Sequence, residues 1–363
     1  MRIALVIEKF SAAGGAERAC ASLAKGLLQR GHEVHVFARQ VDPMPGLVPH
    51  PVDAPGVHHH AAFAERSRAL IEKERFDVVH SFTRTSRQDV LRLGGGVHQE
   101  YLHRTDVAYS FLGKLWRRIR PKEREELRLE RESFDSSASK RIVAVSKRVK
   151  EEVIRHYGVS ADRIDVIYNG VDAGEFKPSV EARRLIRNQV GLEESDYVLL
   201  FCGSGFRRKG LDYAVRALDR VAAAKLVVAG EGRAPRHPRV CMLGRRTDVS
   251  HLYAATDAFI LPTLYDPFPN AALEAMASGI PVIVSRVAGV SEIIDGDSIV
   301  VDEPTDIDEL AAAIRRLEDP AIRRPMGDAA RRKALQYPID RVIDETLRVY
   351  ERVTNVKDAN VST

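Results

Sequence analysis

The feature that most constrains the fold is an alternation of short β-branched runs with amphipathic segments, which the chain passes through twice. In the first half the expected strands are RIALVIEKF (2–10), EVHVFA (33–38), FDVVHSF (76–82) and RIVAVS (141–146). Helices are expected near 15–30 and 61–75, and in a segment that ends at Tyr157. This alternation is typical of βαβ units with a parallel sheet.

The pattern begins again after a segment rich in turn residues, VIYNGVDAGEFKP (166–178). The expected strands of the second half are 196–203, 224–232, 239–243, 257–262 and 280–285. A chain of 363 residues also exceeds the ~250–300 residues at which a single core stops growing. We therefore predict an α/β protein of two Rossmann-like domains that face each other across a cleft.

The net charge of the chain excludes few classes of binding partner. The net charge of +5 and the isoelectric point of about 9.1 fit a nucleic acid, an anionic membrane or a phosphorylated ligand. Cys20, Cys202 and Cys241 form no CxxC pair, so we expect buried free thiols. Residues 58–60, HHH, are expected in a solvated loop rather than at a metal. Without a signal peptide or a long apolar run, a cytoplasmic protein is expected.

Ligands of such sheets bind beyond the carboxyl ends of the strands, so the loops there are the candidate sites. After the first strand, Gly14 and Gly15 lead into a helix, where backbone amides can approach an anion. A simple tight turn explains this weak motif equally well.

A stronger candidate is the loop CGSGFRRKGLD (202–212). Gly203 and Gly205 loosen the loop, while Arg208 and Lys209 bring cations to the strand end. Glycines combined with forked and point-charge donors suit a diphosphate. A solvated basic turn is the alternative, and a Walker A loop is excluded by the spacing.

The segment LYDPFPNAALEAMASGIPVI (264–283) starts a helix behind two prolines. Asn270 is expected as its N-cap, so that the following amides form a second anion site. Glu274, one turn into the helix, and Asp266, before it, are placed to accept hydrogen bonds from hydroxyl groups. For Asp266, a favourable interaction with the helix dipole is the alternative.

Two histidines, His80 and His98, each end an apparent strand of the first half. A single histidine in such a place is usually structural. The glycine run before His98 keeps a functional role open for the pair.

Several of these motifs together resemble one family. The chain from GSGFRRKG through VVAGEG to LYDPFPNAALEAMASGIPVIVS resembles the nucleotide-sugar domain of the family 4 glycosyltransferases, which have the GT-B fold. Asp266 and Glu274 fall where that family has its E-x7-E motif, and YNGVD and GGAER extend the resemblance over nearly the whole chain. SGFRRKGLD, GGGVHQEYL and RLERESF are most similar to lipopolysaccharide core glucosyltransferase I-like enzymes.

The resemblance implies roles for the candidate residues. Glu274 would hold the ribose hydroxyls, and Arg208 and Lys209 would neutralise the diphosphate as it leaves. Gly203 would also belong to the nucleotide-sugar site. The other implied contacts are the amides of Asn270 and Ala271 with the diphosphate, Leu243, Gly244 and Arg245 with the base, Asp266 and Phe268 with the donor sugar, Gly14 and Gly15 with the donor phosphate and acceptor, and His98 with the reacting sugar carbon.

The resemblance also implies domains and a reaction. Residues 1–170 would form the acceptor-side domain, joined by a returning helix at 339–363, and residues 171–338 would bind the nucleotide sugar. The enzyme would be a retaining hexosyltransferase without metal or cofactor, using a UDP-sugar, with UDP-glucose favoured. Its acceptor would be a membrane glycolipid such as the lipopolysaccharide core, and it would act as a monomer at the cytoplasmic face of the inner membrane.

The sequence departs from the family pattern at the first acid. Asp266 is one methylene shorter than the family's glutamate, and Pro267 and Pro269 stand where glycines are common. These departures bear on the identity of the donor sugar more than on the phosphate site.

A basic segment follows in the first half. Residues 111–120 combine the only tryptophan with lysine and arginine, which suits the interface of an anionic bilayer. For residues 122–132 a solvated helix with i,i+4 Glu/Arg pairs is an equally good interpretation. No nucleic-acid-binding module is recognised, so nucleic acid is not an expected partner.

Three alternatives remain at this point. The transferase would act on another acceptor, such as a capsule, an exopolysaccharide or a glycoprotein. A nicotinamide oxidoreductase would share the alternation, but the chain lacks GxGxxG with a following acid. A non-catalytic sugar-nucleotide-binding protein would keep the binding residues and transfer nothing.

Overall fold

The computed structural model describes residues 1–11, 14–54, 60–233 and 235–361. The chain forms two compact units, Met1–Asn169 with Ile339–Thr363, and Gly170–Pro338. Each unit is a parallel sheet with helices, as the double alternation predicts. Among the described residues, no helix is both long enough and apolar enough to cross a bilayer.

The first unit contains a seven-stranded parallel sheet. Its strands lie in the order β5 (Leu47–Pro51), β3 (Glu33–Ala38), β1 (Arg2–Val6), β6 (Val78–Ser81), β7 (Gln88–Leu93), β8 (Ser139–Ala144) and β9 (Ile164–Val166). A separate parallel pair joins β2 (Lys9–Phe10) and β4 (Gln40–Val41). The helices are α1 (Gly15–Gln29), α2 (His60–Ile71), α3 (His98–Thr105), α4 (Phe111–Ile119), α5 (Pro121–Phe134), α6 (Lys147–Tyr157) and α13 (Ile339–Val361).

The second unit contains six parallel strands. Their order is β12 (Val240–Gly244), β11 (Ala224–Ala229), β10 (Tyr197–Cys202), β13 (Ala258–Leu261), β14 (Val282–Ser285) and β15 (Ile299–Val301). Its helices are α7 (Val180–Val190), α8 (Leu211–Leu218), α9 (Val249–Ala255), α10 (Asn270–Ala277), α11 (Ile307–Arg316) and α12 (Pro320–Ala334).

The nine predicted strand segments are all present, and the run 2–10 divides into β1 and β2. Strand β7 was not predicted; its residues are all buried although three of them are polar. Each polar group has a partner: Gln88 donates to Ser139, the Val79 amide donates to Asp89, and Arg92 donates to Asn169. The polar residues hide the apolar pattern of this central strand. The edge strand β5 was missed because it contains two prolines.

The C-terminal helix α13 returns to the first unit, as expected. Ile343 and Tyr350 are buried in the same core as Cys20 of α1. A β-carbon at Gly26 of α1 would lie 2.0 Å from Cδ1 of Ile343, so the two helices pack closely at that glycine. The long terminal helix therefore completes the first core.

The question left open for His80 is settled by its place in β6. It is fully buried, and its Nδ1 lies 2.7 Å from the Tyr350 hydroxyl. Burial lowers the pKa of His80 well below its usual value, which marks a neutral core histidine. Of the cysteines expected to be buried, Cys20 is buried. Cys202, the last residue of β10, and Cys241, in the edge strand β12, are only partly covered.

Candidate active site

The second sheet reverses its direction of growth between β10 and β13. These neighbouring strands send two loops, 203–210 and 262–269, to the same carboxyl edge. A crevice outside the strand ends at such a switch point is where open α/β sheets bind ligands. Both loops contain residues that the sequence analysis selected.

The basic loop 203–210 is pressed against its neighbour at Gly210. A β-carbon there would lie 1.9 Å from the Pro262 carbonyl oxygen, and the positive φ of 77° also favours glycine. Two positions further, the Leu264 amide donates to the Arg208 carbonyl at 2.8 Å. The glycine therefore sets the distance between the cations and the acidic loop.

The Asp266 carboxylate forms ion pairs with both Arg208 and Lys209. The Oδ2 atom of Asp266 lies 3.2 Å from Nη1 of Arg208 and 3.1 Å from Nζ of Lys209. Nη1 of Arg208 also donates to the Tyr265 carbonyl at 2.7 Å. Burial disfavours the charged acid, but attraction from Lys209 and Arg208 outweighs burial and lowers the pKa of Asp266. Asp266 is thus an ionised partner of both cations.

Helix α10 begins differently from the prediction. Its N-cap is Pro269, whose carbonyl accepts the Ala272 amide at 3.1 Å, and Asn270 is the first helical residue with no side-chain cap. Pro269 takes the extended conformation that the cap position requires, so the helix starts one residue earlier than an Asn270 cap would allow. Asn270 and Ala271 still contribute the amides of the first turn.

Glu274 lies one turn into α10 and is 8% exposed. Its Oε2 accepts the Tyr253 hydroxyl at 2.9 Å. Tyr253 was not among the predicted site residues; it is fully buried on α9. The tyrosine in the apolar run 252–255 was the available signal, since a buried tyrosine hydroxyl requires a partner.

The remaining candidates of the second unit lie around this centre. Phe268 is 4% exposed, so its ring packs inward. Leu243 and Gly244 are the last residues of β12, and Arg245 follows with an exposed side chain. The Gly230 amide donates to the Gly244 carbonyl at 2.8 Å, which ties this strand end to the loop after β11.

In the first unit, Gly14 and Gly15 lie where α1 starts. Gly14 has φ 99° and serves as the N-cap, a backbone conformation that favours glycine. A β-carbon at Gly94, in the glycine run after β7, would lie 4.0 Å from Cβ of Ala16. The glycine pair and the glycine run are therefore neighbours at the carboxyl edge of the first sheet.

His98 was expected to end a strand, but it is the first residue of α3. The glycine run turns the chain after β7, so the following residues form a helix. The His98 amide donates to Glu130 at 2.6 Å, and its Nε2 lies 2.7 Å from Oε2 of Glu123. Both acids belong to α5.

Two family models divide the chain between the two units. Residues 13–175 match the model Glycosyltransferase Family 4, and residues 196–319 match the model Glycosyl transferases group 1. A probable transglycosylase from Burkholderia thailandensis is 32% identical over 93% of both chains.

This protein belongs to glycosyltransferase family 4. A second relative is the Escherichia coli UDP-Gal:alpha-D-GlcNAc-diphosphoundecaprenol alpha-1,3-galactosyltransferase, which is 26% identical over 80% of this chain and 76% of its own. Among solved structures, WaaG, a glycosyltransferase involved in lipopolysaccharide biosynthesis, has a TM-score of 0.79 at 21% identity over 98% and 99% of the chains. Anabaena Alr3699/HepE in complex with UDP-glucose has a TM-score of 0.76 at 19% identity over 98% and 100%. These likenesses establish the GT-B fold.

Helix α5 of this family 4 transferase is not the solvated helix that was one expectation. Arg128 and Glu132 form the expected i,i+4 pair, at 3.3 Å. Glu123, Glu126 and Glu130 instead turn inward and bind residues from other elements, and the Glu130 side chain is fully buried. The helix therefore has an inner face with these three acids and an outer face with Arg128 and Glu132.

His60 also departs from its expected solvated loop. It starts α2 and lies between Glu8, to which its Nδ1 is hydrogen-bonded, and Glu126, at 3.0 Å from its Nε2. The hydrogen bonds to Glu126 and Glu8 raise the pKa of His60 to about 10. His58 and His59 lie outside the described residues.

Helix α4 presents an apolar surface to solvent. Its apolar side chains that are more than half exposed are Phe111, Leu112, Leu115, Trp116 and Ile119. Arg118 on the same helix is 72% exposed, and the Arg120 guanidinium lies 4.2 Å from the Trp116 ring. We call residues 111–120 the α4 surface.

Proposed function

We propose that this protein transfers a hexose, with glucose favoured, from a UDP-sugar to a membrane glycolipid such as the lipopolysaccharide core. The observation that carries the proposal is the pair of cations, Arg208 and Lys209, held by Asp266 at the switch point of the second sheet. Preorganised cations stabilise the charge that develops on a leaving diphosphate, and electrostatic stabilisation of this kind usually contributes more to catalysis than any other single effect.

The helix start beside these cations would serve the same anion. The amides of Asn270 and Ala271 add donors at the positive end of α10. Glu274, one turn further along, would accept hydrogen bonds from the ribose hydroxyls, with Tyr253 orienting its carboxylate. The strand end Leu243–Arg245 would border the base.

In the first unit, Gly14 and Gly15 would border the phosphate and the acceptor, and His98 would contact the sugar. The acceptor hydroxyl would attack the anomeric carbon from the face that the diphosphate leaves, so configuration is retained. The diphosphate takes the electron pair of the broken C–O bond, and its phosphate oxygen takes the hydroxyl proton. Because two side-chain cations offset the charge, we expect transfer to need no metal.

The comparisons support a UDP-sugar and a lipid-linked acceptor. The Anabaena neighbour was solved with UDP-glucose, and the E. coli relative takes UDP-Gal and a diphosphoundecaprenol-linked sugar. UDP-glucose and UDP-galactose are therefore the first donors to assay, each with glycolipid extracts and EDTA present. Mass spectrometry of the product gives the added hexose, and the anomeric NMR coupling gives the stereochemistry.

The site is tested by Glu274→Gln. Loss of a charged acceptor for two hydroxyls is expected to weaken UDP binding roughly 10- to 100-fold, as measured by calorimetry. Glu181→Gln, an exposed acid of the same unit, is the matched control. Unchanged UDP affinity in Glu274→Gln would remove the ribose assignment, and UDP binding without hexose transfer to any acceptor would favour a non-catalytic binding protein.

We also propose that the α4 surface binds an anionic lipid bilayer, which would bring a monomeric enzyme to its acceptor on the cytoplasmic face of the inner membrane. Exposed apolar side chains beside lysine and arginine complement the acyl chains and the anionic headgroups. Headgroup charge selects lipid over a neutral protein partner.

Vesicle sedimentation tests this surface. Wild type should bind phosphatidylglycerol vesicles more tightly than pure phosphatidylcholine vesicles, and Leu112→Ser with Trp116→Ser should weaken binding at least roughly tenfold. The control replaces two exposed apolar residues of α7, Val180→Ser with Leu185→Ser. Equal binding by both double variants would contradict the membrane role.

A further inference from the structure

One face of α5 carries three inward-facing acids. Glu123, Glu126 and Glu130 are spaced i, i+3, i+7, which places them on the same side of the helix. Their side chains are 13%, 12% and 0% exposed. Buried acids at such positions require partners, and their partners come from other elements at the carboxyl edge of the first sheet.

Glu130 fixes the backbone at the start of α3. Its two oxygens accept the amides of His98 at 2.6 Å and Gln99 at 3.2 Å, which are first-turn amides without a helical partner. The same carboxylate also accepts hydrogen bonds from Nη2 of Arg84 and from the Tyr157 hydroxyl, each at 2.5 Å. The buried acid therefore determines where α3 starts.

Glu123 fixes the ring of the same histidine. Its Oε2 lies 2.7 Å from Nε2 of His98, and both side chains are more than four-fifths buried. The hydrogen bond from His98 lowers the pKa of Glu123, despite burial, so the acid is ionised and can only accept. Glu123 therefore accepts the proton on Nε2 of His98, and in the tautomer that carries only this proton Nδ1 keeps a lone pair.

We propose that Glu123 is a positioning residue that holds His98 in the Nε2–H tautomer, with Nδ1 as an acceptor for a hydroxyl of the transferred sugar. Glu130 fixes where helix α3 begins, and Glu123 fixes which nitrogen of His98 carries the proton. A carboxylate that orients a histidine in this way sets the tautomer and the ring direction together. The contact with the sugar rests on the proposed function, whereas the tautomer does not.

The test combines Glu123→Gln with imidazole NMR. A glutamine side chain can donate as well as accept, so it no longer imposes one tautomer. In ¹⁵N-labelled wild type the His98 signals should show a protonated Nε2 and an unprotonated Nδ1, and in Glu123→Gln they should shift towards a mixture. The kcat for transfer should fall roughly 10- to 100-fold with little change in the KM for the nucleotide sugar.

Glu132→Gln is the matched control, because it removes an equal charge from the outer face of the same helix. It should leave both the tautomer and kcat unchanged. An unaltered His98 tautomer in Glu123→Gln, or a proton on Nδ1 of His98 in wild type, would overturn the positioning role. A changed tautomer with unaltered kcat would overturn the contact with the sugar, and absence of transfer by wild type would refute the proposed function while the NMR result still decides the role of Glu123.

Discussion

A cluster of charged residues lies at the carboxyl edge of each sheet, and different elements supply the residues of the two clusters. In the second unit, Arg208, Lys209 and Asp266 come from loops that follow neighbouring strands. In the first unit, His98 follows a strand, but the acids that hold it come from α5. The first arrangement follows from the strand order, whereas the second depends on which face a helix turns inward.

The largest expected effect is on the loop-built site. Lys209→Ala should lower kcat by roughly a thousandfold, because it would remove one of the two cations that we propose stabilise the leaving diphosphate. Lys225→Ala, which breaks a pair with Asp196 near the amino end of β11, is the control and should retain full turnover. Near-normal kcat in Lys209→Ala would break the comparison, since the loop would then be structural.

The helix-built cluster should respond in stability. Arg84→Met should lower the free energy of unfolding by about 3 kcal/mol, because it leaves the fully buried Glu130 without its cation. Arg128→Met removes an exposed arginine that pairs with Glu132, and is expected to cost less than about 1 kcal/mol. Urea denaturation of both variants gives the comparison, and equal midpoints would show that Glu130 does not depend on Arg84.

A smaller loss of stability is expected at Gly210, where the cost of the positive φ can be separated from the cost of the contact with Pro262. Gly210→Ala should destabilise by roughly 2–3 kcal/mol, from the positive φ and from the contact with the Pro262 carbonyl. Gly205 has a similar φ of 74°, but a β-carbon there would meet no atom within 4 Å, so about 1 kcal/mol is expected for Gly205→Ala. Thermal or urea unfolding measures the difference, and identical losses would mean that the two loops are not fixed at Gly210.

The smallest effect depends on pH. The pKa of His60 is raised to about 10, so its stabilisation is complete below the unfolded value of ~6.5 and is lost as pH rises through 10. His60→Gln should therefore cost on the order of 1 kcal/mol at neutral pH, after allowance for solvent screening. The difference from wild type should disappear above pH 10, and a loss that does not vary with pH would indicate packing rather than charge.

The sequence predicts most of the fold because apolar runs of strand length mark buried parallel strands. It fails at β7, where Gln88, Asp89 and Arg92 are buried with partners that only the folded chain supplies. For the second unit, it selects the cations, Asp266 and Glu274, because glycines, prolines and charges concentrate in two short loops. The sequence does not predict that Asp266 binds both cations, nor that Tyr253 binds Glu274, since both contacts need distances between elements.

In the first unit the sequence selects His98 but not its supports. The segment of α5 reads as alternating charge, which is also the pattern of a solvated helix. The acids that turn inward differ from those that turn outward only in helical phase. That phase is set by packing against α3 and the loops beside it, so no local pattern reveals it.

The pairing of Asp266 with both Arg208 and Lys209 gives the site a built-in competitor for any anion. An intramolecular carboxylate acts at a high effective concentration, because its chain holds it beside the cations. A diphosphate that binds the two cations would have to displace the Asp266 carboxylate from them. After the reaction the same carboxylate would help to displace the diphosphate product, so the arrangement would favour rapid product release over tight binding.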